Sequence, residues 1–272
     1  MRKIFIKTLI ELAEKDDKIF LLTGDLGSDF DEFVKRFPDR FINCGIAEQN
    51  MVGVAAGLAL CGKKPYVYSI IPFVTMRAFE QIKNDVCYQN LDVKIIGMGA
   101  GFNYGPLGCT HHAIEDLALR ALPNITIISP ADSIETRELI LQAYKTASPT
   151  YIRMSKLPVA EKDMPGEESQ KIELGKPAVL KSGKDGVIIS TGTQTKICLE
   201  VAKKLNEQSK DLKVVSLHTL KPIDKNLLLA EVNNFKNIII VEEHNILGGL
   251  ASAICEILVE SDNMWRVKIF HS

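Results

Sequence analysis

A glutamate opens a stretch of small apolar residues at Gly45-Ile46-Ala47-Glu48-Gln49-Asn50, which runs on through Met51, Val52, Val54, Ala55 and Ala56. A carboxylate in a first helical turn ordinarily complements the helix dipole at the surface. The surroundings of Glu48 are too apolar for that alone, and a buried carboxylate needs a partner or holds a proton. A heteroaromatic nitrogen is one partner that meets the need. A second candidate is the loop that follows Gly97, Gly99 and Gly101 and ends at Thr110-His111-His112. Adjacent histidines diverge, so a shared metal is a poor reading. A lone histidine before a helix is most often a cap or a surface residue. On a glycine-rich loop at a sheet edge it can instead move protons near neutral pH. The glycines do not form a dinucleotide fingerprint, because Phe102 stands where a third glycine is required and no acidic residue follows at the expected distance. A phosphate-cradling P-loop signature is absent as well.

Strands alternating with helices must position these groups. Apolar spacing predicts helices over 3–15, 47–61, 74–89, 112–121 and 134–147, the last capped by Asp132 or Ser133. Short β-branched runs predict strands at 19–22, 66–68, 93–96 and 125–128. A Pro- and charge-rich stretch over 157–177 reads as a linker. The alternation then resumes, with strands at 187–189, 213–215, 238–241 and 267–270 and helices at 195–207, 224–232 and 249–260. The expected fold is α/β, with two open, mostly parallel sheets and helices on both faces. The expected domains are 1–156 and 178–272.

The chain has 272 residues, 46% of them hydrophobic and 25% charged, the composition of an ordinary globular protein of about two domains. A net charge of -1 disfavours a nucleic-acid binder, since no cationic excess exists to neutralise phosphates. Six cysteines without a C-x-x-C pair read as reduced core thiols rather than a zinc site or disulfide framework. No signal-peptide core and no membrane-length apolar run is present, so a soluble cytoplasmic protein is expected.

A longer series of motifs resembles the C-terminal half of transketolase over nearly the whole chain. It comprises Phe37-Pro38-Asp39-Arg40-Phe41-Ile42-Asn43, the Glu48 segment, Gly62-Lys63-Lys64-Pro65 and Phe73. Arg77-Ala78-Phe79-Glu80-Gln81-Ile82, Gly108-Cys109-Thr110-His111, Glu115-Asp116 and Pro130-Ala131-Asp132 follow. In the second half come Thr191-Gly192-Thr193, Leu220-Lys221-Pro222-Ile223-Asp224 and Glu242-Glu243-His244-Asn245-Ile246-Leu247-Gly248-Gly249-Leu250. The chain thus looks like a pyrimidine-binding domain joined to a transketolase C-terminal domain.

The resemblance implies roles residue by residue. Glu48 matches the glutamate that bonds ring N1′ of thiamin diphosphate and favours the imino tautomer. The imino form then generates the thiazolium ylide, so the hard chemistry is the cofactor's. Phe73 matches the aromatic stacked on the aminopyrimidine. His111 matches the loop histidine that faces the substrate. Lys156 falls where an arginine often meets the substrate phosphate. Arg77 and Ser28 match polar groups lining the pocket, although each equally suits a surface ion pair or cap. Asp25 contacts the cofactor ring or holds its loop.

Departures bear on the substrate. Leu107 stands in place of an aspartate that bonds a sugar hydroxyl, which alters the polyol that fits. Ile70 replaces a second aromatic near the pyrimidine, and the C-terminal domain is expected to be shortened. No G-D-G…N segment for the diphosphate and Mg²⁺ occurs, because Thr23-Gly24-Asp25-Leu26 carries leucine at the decisive position. The resemblance therefore implies a split transketolase that transfers a two-carbon ketol unit from a ketose, expected to be phosphorylated, to an aldose. A separate diphosphate-binding subunit would hold most of the diphosphate and metal, with no metal ligand in this chain. The expected assembly is α2β2, with self-association through the pyrimidine and C-terminal domains, and without nucleic acid or membrane. Alternatives are a 1-deoxyxylulose-phosphate-synthase-like subunit, a 2-oxo acid dehydrogenase beta-like subunit, or a non-catalytic scaffold.

Overall fold

The alternating pattern folds into two sheets in the computed structural model, which describes residues 1–26, 30–156, 172–261 and 264–271. The first contains β1 (Ile19–Thr23), β2 (Phe41–Asn43), β3 (Lys64–Ile70), β4 (Lys94–Met98), β5 (Thr126–Ile128), β6 (Thr150–Met154) and β10 (Thr219–Lys221). Their order is β10-β5-β6-β4-β3-β1-β2. All pairings are parallel except β10 with β5. The second sheet has the order β12-β11-β8-β9-β7. It is built from β7 (Ala178–Lys181), β8 (Gly186–Ser190), β9 (Leu212–Ser216), β11 (Asn237–Val241) and β12 (Arg266–Phe270), with only β7 antiparallel.

Both faces of the first sheet are covered, which is why β4 and β6 are buried at every residue. On one side, α1 (Arg2–Ala13) and α5 (Ser133–Lys145) pack Phe5, Leu9, Leu139 and Ile140 against Tyr66, Tyr68, Ile96 and Ile152. On the other, α3 (Glu48–Leu60) presents Met51, Val52 and Ala55 to Val67 and Ile95. That second core continues into the second sheet through Val187, Ile189, Val215, Ile238 and Ile240 and into α8 (Leu250–Val259). Asp132 caps α5 by accepting from Glu135 N at 2.7 Å, and Asp224 caps α7 (Lys225–Val232) by accepting from Leu227 N at 3.0 Å. The remaining helices are α2 (Asp31–Arg36) and α6 (Gln194–Asn206).

Several expectations change. The helix expected over 74–89 is two π-helical stretches, Phe73–Arg77 and Ile82–Cys87, around a short α4 (Phe79–Gln81). Apolar spacing alone does not separate these turns from an α-helix. The helix expected over 112–121 is a 3₁₀ segment confined to Asp116–Ala121. The cysteines are not all core thiols. Cys87 and Cys198 are buried, Cys61 and Cys109 are exposed, and all six are free. Burial pushes the Cys87 thiol up to about 12, against a smaller opposing effect of Lys221. Most of the expected linker, 157–171, lies outside the described residues. Among the described residues no helix is long and apolar enough to cross a membrane.

Candidate active site

Parallel strands place all their carboxyl ends at one edge, where α/β sheets bind ligands. That edge collects Thr23 and Gly24 from β1, Asn43 from β2, Ser69 and Ile70 from β3, the loop after β4, and Ser155 and Lys156 after β6. Glu48, the first residue of α3, follows β2 by a turn in which Gly45 has φ 68°. Its side chain is 1% exposed. Arg77 Nη1 donates to Glu48 Oε2 at 2.6 Å, and Ser69 Oγ donates to Oε1 at a long 3.4 Å. The buried carboxylate therefore has a cationic partner on one oxygen and spare accepting capacity on the other.

Phe73 links this pair to the loop. The Arg77 guanidinium lies 4.5 Å from its ring centroid, and the His111 ring meets it edge-on at 5.0 Å. Tyr104 flanks His111 from another direction at 5.7 Å. Thr110 Oγ1 lies 2.9 Å from His111 Nδ1. His112 turns elsewhere, with Nε2 2.9 Å from Gly105 O and its ring against Phe102, so the two histidines diverge as their adjacency predicts. Tyr104 needs Gly99 beneath it, because a Cβ there would fall 2.1 Å from the ring at a φ of 95°.

The other expected residues are distributed around this group. Lys156 is exposed, with Nζ 4.5 Å from the Tyr104 ring centroid. Leu107 is 53% exposed at the loop tip, and Ile70 is buried at the end of β3. Asp25 has φ 57° and is tied to Asn43, whose Oδ1 accepts from Asp25 N at 3.1 Å and whose Nδ2 donates to Asp25 Oδ1 at 3.2 Å. Ser28 lies outside the described residues.

Sequence reasoning did not single out the groups that support the loop. Asn103 Oδ1 accepts from Ser155 Oγ at 2.5 Å and from Lys156 N at 2.8 Å. Below it, Arg153 is buried beside Asp116, donating from Nε to Oδ2 at 2.8 Å. Burial opposes the Arg153 charge, but Asp116 first and then Tyr151 and Glu243 hold its pKa above the usual arginine value. Glu115-Asp116 lay in a motif, and the charge at Asp116 was the available signal. Among the described residues no cluster of His, Cys, Asp and Glu suits a metal ion. Two cavities of about 300 and 260 Å³ flank the Arg120–Glu256 pair and share no residue with the group around Glu48.

Two family models match the chain, the transketolase pyrimidine-binding domain over residues 1–161 and the transketolase C-terminal domain over residues 175–268. A protein described as a transketolase C-terminal section from Methanocaldococcus jannaschii is 38% identical over 96% of this chain and 82% of its own length. One of the two chains of the apulose-4-phosphate transketolase of Actinobacillus succinogenes is 39% identical over 84% of this chain and 73% of its own. A split-gene transketolase solved as an inactive beta4 tetramer superposes with a TM-score of 0.89 at 40% identity, covering 99% of this chain and 88% of that one.

Proposed function

The chain belongs to the transketolase family and resembles its split-gene members; from that premise we propose that it is the pyrimidine-side subunit of a two-chain enzyme transferring a two-carbon ketol unit from a phosphorylated ketose to an aldose. Glu48 carries the reading. A carboxylate 1% exposed, with one oxygen engaged by Arg77 and the other held only by a long bond, suits a ring N–H donor. The half-buried Phe73 offers an aromatic face beside it. These residues fit the aminopyrimidine of thiamin diphosphate.

When bound, the cofactor supplies a nucleophilic carbon and an electron sink. Glu48 holds the ring by accepting a hydrogen bond, and Arg77 keeps the carboxylate in place. With Thr110 Oγ1 accepting from Nδ1, His111 keeps the Nε2 lone pair for a substrate hydroxyl. Lys156 provides a cation for a phosphate, and Leu107 removes an acceptor from the loop that faces the sugar. Asp25 borders the same edge, and Ile70 supports it from within. The proposed division is a pyrimidine domain over 1–156 and a C-terminal domain over 178–272, with Mg²⁺ and diphosphate held by the partner chain in a cytoplasmic α2β2 assembly.

Calorimetric titration of thiamin diphosphate with Mg²⁺ tests the reading. Binding is expected to be weak with this chain alone and tight with a co-expressed chain bearing the G-D-G…N segment. A stable two-chain complex that binds no cofactor would refute it and favour a scaffold.

A further inference from the structure

We propose that Glu243, in the turn after β11, is a positioning residue for the substrate loop, acting through Asn103 to set where His111 and Lys156 stand. What the loop is for rests on the functional reading above; the contact itself does not.

Both oxygens of Glu243 are engaged. Asn103 Nδ2 donates to Oε1 at 2.8 Å and Thr193 Oγ1 donates to Oε2 at 3.1 Å. Asn103 is the junction. Its amide nitrogen reaches 140 residues along the chain, while its oxygen accepts from Ser155 Oγ and from Lys156 N. One side chain thus joins the second half of the chain, the end of β6 that bears Lys156, and the loop that bears His111.

The neck of the loop is shaped around this carboxylate. Gly101 and Ala113 close it with reciprocal backbone bonds of 3.0 and 2.8 Å. A Cβ on Gly101 would fall 2.1 Å from Glu243 Cγ, and its φ of 57° also favours glycine. The backbone of the same turn is fastened to the far side of the neck. Asn245 N donates to Ile114 O at 3.0 Å, and Arg153 Nη2 donates to both Ala113 O at 2.7 Å and Glu243 O at 2.8 Å. The turn has its own backbone anchors, so the Glu243 side chain is not required to hold it. What that side chain adds is the hold on Asn103.

Hydrogen–deuterium exchange on the full chain separates local positioning from general gluing of the two halves. Glu243→Ala is expected to speed exchange of amides in 99–112 about tenfold while β1 and β4 stay protected. Glu243→Gln, which keeps an acceptor for Asn103, should restore protection. Asn103→Asp is the selective second variant: it retains the acceptor for Ser155 and Lys156 but replaces the donor to Glu243 with a like charge. It should reproduce the Glu243→Ala pattern. In the assembly with the partner chain, both disruptive variants should lower kcat about tenfold with thiamin diphosphate affinity unchanged, and Glu243→Gln should rescue it. Unchanged exchange in 99–112 in both variants overturns the proposal, as does faster exchange spread equally through β1 and β4. If even the unsubstituted assembly binds no thiamin diphosphate, the functional reading fails while the exchange result still decides the contact.

Discussion

Arg77 and Glu48, 29 residues apart, share one 2.6 Å ion pair in which the carboxylate is 1% exposed and the arginine side chain 44% exposed. Removing one partner of such a pair leaves a buried charge without compensation. Arg77→Met is therefore expected to lower stability by about 1–3 kcal/mol, the range for a stranded buried polar group. Glu48→Gln/Arg77→Met should recover part of that loss, and thermal melts of the two single variants and the double variant give the coupling. Additive effects would show that the pair does not stabilise the fold.

Glu48→Gln keeps the shape of the side chain and removes its charge. Under the proposed function, turnover by the assembled two-chain enzyme should fall by about two orders of magnitude or more, the usual scale for losing acid–base assistance. The melting temperature should move little beside that loss. Unchanged turnover would favour a scaffold.

Leu107 is exposed at the tip of the substrate loop, where it contributes no acceptor. Leu107→Asp should alter the ratio of kcat/KM values among sugar phosphates that differ at one hydroxyl by about tenfold or more. A panel of ketose donors measures this, and an unchanged ranking would separate the loop tip from specificity.

The seam between the two sheets should respond to pH in two opposed ways. Glu135 accepts from Ala131 N at 2.7 Å and from Ser216 Oγ at 2.9 Å, and burial first, then Asp132, pushes its pKa up to about 7. Its native state binds a proton that the unfolded chain releases at lower pH. Its stabilisation is thus full below about 4.5 and lost as pH rises through about 7. His218 is buried and pulled down to about 4 by burial, so its contribution is full above about 6.5 and lost as pH falls through about 4. Relative to the unsubstituted chain, Glu135→Gln should gain about 3 kcal/mol between pH 4.5 and 7. His218→Asn should show the opposite tilt, gaining relative stability on acidification. Denaturant titrations at several pH values measure both, and parallel curves would exclude these groups as the source.

The path of the chain explains which parts of this molecule are legible before folding. Continuous β-branched runs such as Ile238-Ile239-Ile240-Val241 announce buried parallel strands, because covering both faces demands apolar side chains at every position. Glu48 at the head of an apolar stretch signals a carboxylate with a task. The three-residue strand β10 gives no comparable signal. Thr219–Lys221 pairs with β5 only because the second half packs against the first sheet's edge, and edge pairing uses backbone groups that carry no side-chain code. The π-helical turns of 73–87 share the apolar spacing of an α-helix, so only the folded backbone distinguishes them. The sequence by itself determined the alternation of elements, the two sheets and the residue types available for chemistry. Tertiary structure alone decided which of them meet. Arg77 reaches Glu48, and Asn103 reaches Glu243 across 140 residues, because contacts between distant segments depend on packing geometry rather than local period.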